Sequence, residues 1–316
     1  MTSFIITNSI LKKLFEINQF EIPAAANLIF VGIRGCLPQD VDDNSFKNSQ
    51  TLNIRDVDYK NLRCTLFQWK KDTGDIAVFA GSTVPSIANI LGYKKNPPRK
   101  SNCLTPGFYK NYVKGMHRPG NSKNWHDAFR QNGQPLAIRR TNDNTYYDNF
   151  DTIEISTGCD DNMHAAWTLD ADSGYFSSAG CQVIMGIPFC ESTKTRQTDN
   201  LGPWKNFKDS GYAADQPAFP YALFTSAEVF KVATSGGKQI SPRLKFGSSG
   251  HLVTQIQMAL TKGNYLSGNP DGDFEKRTFD AIKKFQIDNF GVAATDCVVG
   301  PVTSQALEVT FPQITI

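Results

Sequence analysis

The apolar positions of this chain keep an alternating or continuous spacing through most of its length and turn to a helical one near its two ends. Phe4, Ile5, Ile10, Leu11, Leu14 and Phe15 recur at partly helical intervals, which predicts an amphipathic packing helix over residues 3–17. Residues 27–33 (NLIFVGI) form a continuous apolar run expected to be a buried strand, and the polar stretch 39–50 reads as a loop. From Leu62 the spacing is that of β-structure. Residues 64–69 and 76–81 flank a Lys-Asp-Thr-Gly-Asp turn and predict a hairpin. A Pro/Lys-rich loop over 93–101 follows, then a turn at 105–109 entering a strand through Tyr112 and Val113. The polar segment 116–134 is long for a connection and predicts a lid or a surface excursion. Residues 136–140, 152–155 and 182–188 read as further strands.

A Gly/Ser-rich break at 233–242 has the composition of a linker. Beyond it, Val253, Ile256 and Leu260 follow a cap at Ser249, Phe279, Ile282 and Phe285 follow a cap at Asp273, and a third helix begins at Pro301. Residues 271–278 and 296–303 echo one another, each with an Asp, an apolar residue three later and a Thr seven later, as two similar turn-to-helix units would. The expected fold is therefore a mostly β domain followed by a small all-α three-helix domain. Its boundaries are an N-terminal extension at 1–55, the β domain at 56–232, the linker at 233–242 and the helical domain at 243–316.

Composition narrows the function classes. The 316 residues are 40% hydrophobic, enough for two cores. The net charge of +3 comes from mixed charges without basic runs, so neither nucleic acid nor an anionic membrane is called for. The longest apolar stretch, 22–33, is too short to span a bilayer, so no membrane insertion is expected. In the opening MTSFIITNSILKKLFEI the lysines follow the apolar residues, unlike a Sec signal, so the export route stays open. Seven cysteines without a C-x-x-C suggest neither a disulfide framework nor a zinc site and leave at least one thiol free.

One pair stands out chemically. His164 precedes Cys181 by seventeen residues, and Cys181 ends a Ser178-Ala179-Gly180-Cys181 turn. A thiol attacks as thiolate, so a nucleophilic Cys needs an imidazole to take its proton, and small residues before it free main-chain N–H groups for an oxyanion. Cys181 and His164 are the expected nucleophile and base, with Ser178 and Gly180 shaping the turn and the N–H groups of Gly180 and Cys181 facing the oxyanion. Neighbouring strands would bring the pair within hydrogen-bond reach. His117 and His126 have no ligand partner at standard metal spacing and read as solvated or packing residues. Asp160 and Asp161 read as turn residues, Cys159 and Cys190 as packing residues, and Trp167 and Tyr175 as cleft or core aromatics. Arg139 and Arg140 are left outside the site, and no cofactor or metal is called for.

Two resemblances give these elements a context. Residues 244–307, through the LKFGSSG run at 244–250, Gln257, Leu260, the DGDF run at 271–274, Thr278, Ala281, Phe285-Gln286, Val299-Gly300 and Thr303, resemble the peptidoglycan-binding domain type 1. Glu275 departs from its pattern, which usually has Gly there. The resemblance implies a three-helix cell-wall module with peptidoglycan as partner. Residues 62–188 are similar to the L,D-transpeptidase (YkuD-type) catalytic domain, a β-rich fold. His164-Ala165-Ala166-Trp167 and Ser178-Ala179-Gly180-Cys181 occupy the places of its His and Ser/Thr-His-Gly-Cys elements, with residues 81–85 and 105–109 agreeing upstream. Ala179 replaces the family's second histidine, and Gln182-Val183 replaces its apolar-Arg/Asn pair. The resemblance implies a thioester formed by Cys181 with a peptidoglycan stem peptide, His164 being oriented by the main-chain carbonyl of Ala165. An acceptor amine would make the protein a transpeptidase. Water would make it an endopeptidase or carboxypeptidase, as in a phage lysin or an injected effector with a phage-like or injection-apparatus partner. A non-catalytic wall-binding protein is the third reading. All three act at the bacterial cell wall, in the periplasm or at the cell surface.

Overall fold

The computed structural model describes residues 2–94, 101–118, 120–141 and 146–316, so most of the loop expected at 93–101 lies outside the described residues. The chain begins with β1 (Ser3–Thr7) and α1 (Asn8–Asn18), not with one helix over 3–17. Phe4 and Ile6 are buried while Ile5 is exposed, the alternation of a strand, and Thr7 Oγ1 accepts from Ile10 N–H at 3.4 Å to start the helix. After β2 (Leu28–Arg34) and β3 (Cys36–Pro38) comes β4 (Ser49–Ile54), which pairs antiparallel with both β1 and β3. The loop expected over 39–50 thus ends where β4 begins. The hairpin is β5 (Cys64–Lys70) and β6 (Ile76–Ser82), followed by α2 (Ile87–Lys94) and β7 (Cys103–Leu104).

β8 (Gly107–His117) and β9 (His126–Gln131) pair antiparallel, so the segment read as a lid holds the end of one barrel strand and the whole of the next. β10 (Leu136–Arg140) and β11 (Thr152–Ser156) form a separate small sheet with β7. Two short strands, β12 (Met163–Ala165) and β13 (Gln182–Ile184), then precede α3 (Pro203–Ala213), β14 (Phe219–Thr225) and α4 (Ser226–Ala233). Eight strands close into a barrel in the order β12-β13-β6-β5-β2-β14-β8-β9.

β2 lies in the middle of that barrel, antiparallel to β5 and parallel to β14, so residues 1–55 are not an extension but part of the β domain. Its continuous apolar run follows from having both faces covered. Leu28 and Phe30 face the inner cluster, where Phe30 stacks on Phe219 at 4.8 Å; Ile29, Val31 and Ile33 meet the α1 side chains Leu11, Leu14 and Phe15. Each such fully buried side chain contributes ~1.5–3 kcal/mol of transfer free energy.

The helical region holds β15 (Gln239–Ile240), α5 (His251–Lys262), α6 (Lys276–Phe290), α7 (Pro301–Ala306) and β16 (Ile314–Thr315). The echo in its sequence is a repeated clasp. Gln257 Nε2 donates to Asp271 Oδ1, Asp273 O and Thr278 Oγ1 at 2.6, 3.1 and 2.9 Å; Gln286 Nε2 donates to Asp296 Oδ1, Val298 O and Thr303 Oγ1 at 2.9, 3.0 and 3.2 Å. The expected helix caps are displaced. Gly250 and Glu275 stand at the N-caps, Ser249 donates its N–H to Gln19 O at 2.9 Å, and the Asp273 carbonyl is taken up by the first clasp.

Residues 233–242 are not a free joint. α4 runs to Ala233, β15 pairs with β16, and Ile240 is buried in the α1 cluster. The helical region is seated on the barrel by main-chain bonds, Arg243 N–H to Ile17 O and Phe108 N–H to Phe246 O, both 2.9 Å. Gly247, at φ +88°, permits the close approach; a Cβ there would lie 2.2 Å from the Phe108 carbonyl oxygen. Beneath this seam lies a buried ion pair, Lys245 Nζ to Glu228 Oε2 at 2.9 Å, with Asn18 Nδ2 donating to Glu228 Oε1 at 2.9 Å. Among the described residues no helix is long and apolar enough to cross a membrane.

Candidate active site

β12 and β13 are parallel neighbours, with His164 opposite Val183, so His164 sits on its own short strand, separate from β11. Cys181 is the residue immediately before β13. Parallel pairing puts the end of the Ser178–Cys181 turn beside the start of β12, which is how a separation of seventeen residues becomes proximity. Both residues are buried, His164 at 2% and Cys181 at 7% exposure.

The tautomer of His164 is set by its surroundings. Its Nδ1 lies 2.8 Å from Ala165 O, an acceptor only, so Nδ1 carries the proton and Nε2 is left basic. The Cys181 thiol donates to Asp160 O at 3.4 Å, not to His164 as expected. Burial, reinforced by Asp161, pushes the Cys181 thiol well up, and burial, reinforced by His117 and His126, pushes His164 well down. The pair is therefore uncharged: a thiol beside a neutral imidazole.

The turn is fixed from several sides. Ser178 Oγ donates to Cys181 O at 2.8 Å and accepts from Gly180 N–H at 3.2 Å, while Ser178 O accepts from Ser86 N–H and Asn89 Nδ2 at 2.9 and 2.8 Å. The Gly180 N–H is thus engaged by Ser178 and does not face an oxyanion as expected. Gly180, at φ +152°, abuts a buried pair in which Asn102 Nδ2 donates to Asp161 Oδ2 at 2.6 Å. Asp161 is therefore more than a turn residue. Burial drives its carboxyl up, the bond from Asn102 opposes this, and the balance is a pKa of about 6.

The structure adds two histidines that the sequence reading placed outside the site. His117 ends β8 and His126 begins β9, directly opposite each other in the ladder. His117 stacks on His164 with ring centroids 4.0 Å apart, and the His126 ring lies 5.4 Å from that of His164. The ligating atoms of His117, His164 and Cys181 all lie within 4.8 Å of one another. Asn162 Oδ1 accepts from Gln131 N–H at 3.1 Å, which turns Asn162 Nδ2 toward His117 Nδ1 at 3.4 Å. His126 Nδ1 bonds Asn124 O at 2.7 Å, and its buried Nε2 has no partner among the described residues. Burial lowers the pKa of His117 to about 3 and of His126 to about 4.

A cleft of about 310 Å³ opens onto this cluster, lined by Asn89, His117, Arg118, His126, Trp167 and Tyr175 among others. Trp167 holds φ +66°, a conformation a bulky side chain adopts only where its surroundings impose it. Cys159 is half-buried and Cys190 buried. Arg139 donates to Asp148 O and Asp151 O, each at 2.9 Å, and Arg140 pairs with Glu154 at 2.6 Å.

Compared with known families, residues 249–307 match the peptidoglycan binding domain family. No curated protein and no solved structure matches the chain. The molecule joins a mostly β region built around a closed barrel to a C-terminal helical peptidoglycan binding domain, which points to the cell wall as its place of association and to peptidoglycan as its partner.

Proposed function

We propose that this chain is a peptidoglycan-acting Cys-His acyltransferase of L,D-transpeptidase type. The observation that carries the reading is His164, whose Nδ1–H is held by Ala165 O, which leaves Nε2 free to take a proton, and which has a ring nitrogen within 4.8 Å of the Cys181 thiol, in a chain that carries a wall-binding domain. The thiol turns from Asp160 O toward His164, gives Nε2 its proton and attacks the carbonyl carbon of a stem-peptide bond. The departing amine takes the proton from His164, leaving a thioester on Cys181. The acceptor then loses its proton to His164, attacks the thioester and releases the thiol.

Because the Gly180 N–H is bound by Ser178, the Cys181 N–H is the turn's oxyanion donor and Ser178 is a positioning residue. His117 and His126 occupy space around His164 in a chain whose Ser-Ala-Gly-Cys turn lacks a histidine of its own.

The test is a digest of sacculi with defined tetrapeptide muropeptides, followed by mass spectrometry of the products. New cross-links that depend on Cys181 support transfer to an amine, and Cys181-dependent shortened peptides assign the acceptor as water. Unchanged muropeptides with wild-type protein refute both and leave a binding protein.

A further inference from the structure

We propose that the buried cluster behind the cleft is a binding site for one thiophilic divalent transition-metal ion of the Zn²⁺ class, held by Cys181 Sγ, His164 Nε2 and His117, with His126 beside it. Three donors from three parts of the barrel, the end of β8, β12 and the turn before β13, already converge within 4.8 Å of one another. A tetrahedral ion with metal–nitrogen distances near 2.0–2.1 Å and metal–sulfur near 2.3 Å draws its donors to roughly 3.3–3.6 Å apart. Closing the set therefore asks for side-chain movement on the order of 1 Å. The donors are imidazole and thiol, which suit Zn²⁺ and its neighbours and not Ca²⁺ or Mg²⁺.

The surroundings point to a ligand independently of that convergence. His164 and His126 each bind a main-chain carbonyl through Nδ1, at 2.8 and 2.7 Å, which leaves Nε2 bare. That is how ligating histidines are usually held, the second nitrogen fixing the ring. For His126 the arrangement is otherwise costly: the residue is 1% exposed and its Nε2 has no partner among the described residues. A metal-bound water facing His126 would meet that nitrogen. His117 and His126 both line the cleft, which gives the ion a way in. Binding through His117 Nε2 moves that ring's proton to Nδ1 and gives up the long 3.4 Å contact with Asn162 Nδ2.

On binding, the Cys181 thiol releases its proton to solvent and donates its sulfur pair to the ion. An occupied site has no free nucleophile, so the ion is a reversible inhibitor. This inhibitory consequence rests on the thiol mechanism proposed above; the site itself does not.

The experiment titrates reduced, full-length protein with Co²⁺, read by absorption, and then displaces it with Zn²⁺. The expected result is one Co²⁺ per chain with a thiolate-to-cobalt charge-transfer band. Cys181→Ser loses that band, His117→Ala weakens uptake at least tenfold, and His126→Ala keeps the band with affinity lowered about tenfold to a hundredfold. No stoichiometric uptake by the wild type overturns the proposal without reference to any variant's folding, and so does a charge-transfer band that survives in folded Cys181→Ser. Zn²⁺-reversible uptake in a protein whose metal-free form never acylates Cys181 leaves the site standing and removes the transferase reading. Acylation without uptake does the reverse.

Discussion

Replacing Lys245 by Met removes a buried charge and keeps most of the side chain's aliphatic volume, so it isolates what the Glu228–Lys245 pair contributes to seating the helical region on the barrel. The side chains of Lys245 and Glu228 are 3% and 10% exposed, and the ammonium lies 3.0 and 2.9 Å from the two carboxylate oxygens. Without Lys245 the carboxylate keeps, among the described residues, only the hydrogen bond from Asn18, and stranding a buried charge in this way costs about 3–5 kcal/mol. With an unfolding entropy of ~2.1 cal/mol/K per residue, 316 residues give roughly 0.66 kcal/mol/K, hence a fall in Tm of about 5–8 °C at pH 7. The double variant Glu228→Gln, Lys245→Met leaves no charge and should return to within ~1 kcal/mol of wild type.

The pH dependence carries a second signature. Burial pushes the Glu228 carboxyl up, but Lys245 and then Asn18 outweigh it and hold the group below its ordinary value. A depressed carboxylate contributes stability that is present above its unfolded pKa, about 4.3, and is lost as pH falls through the lower folded value. In Lys245→Met burial is largely unopposed, the folded pKa rises above the unfolded one, and the variant gains stability as it takes up a proton. The gap between the two proteins should therefore narrow from pH 7 to pH 4, as followed by thermal melts in the two buffers. A loss under 1 kcal/mol at pH 7, or a gap independent of pH, refutes the reasoning.

Two further substitutions test the turn and the clasp. Gly180→Ala would place a Cβ 2.5 Å from Asn102 Nδ2 and 2.6 Å from Asp161 Oδ1, so it should cost ~2–4 kcal/mol in a thermal melt and cut the rate of Cys181 acylation. Gln257→Leu deletes the bonds to Asp271, Asp273 and Thr278 together with those accepted from Asp271 N–H and Gly272 N–H. It should weaken pelleting with sacculi while leaving acylation by soluble muropeptides intact, since these bonds lie wholly within the helical domain.

Elements whose pattern is complete within their own residues were legible in the sequence. The β5–β6 hairpin carries its own turn, and the helices from Val253 and Phe279 carry their own apolar stripe. Long-range pairing was not legible. β2 belongs to the barrel because β14 pairs with it some 190 residues later, and nothing in residues 1–55 announces that partner. The strand at β1 was masked because Phe4, Ile5 and Ile10 also fit a helical spacing, and only the burial of Phe4 and Ile6 on one face separates the two. At the site, the His164–Cys181 proximity followed from two short strands, whereas His117 and His126 read as isolated because their link is a cross-strand pair and not a ligand spacing. The engagement of the Gly180 N–H by Ser178 depends on a hydroxyl rotor, which composition does not specify.

The most direct measurement is the intact mass of wild-type protein and of Cys181→Ala after incubation with a tetrapeptide muropeptide, with peptide mapping of any adduct. The proposed chemistry requires a thioester-linked mass on wild type alone, located at Cys181 and lost on addition of an acceptor amine or with time in water. An unmodified wild type, or an adduct equally present on Cys181→Ala, would contradict it.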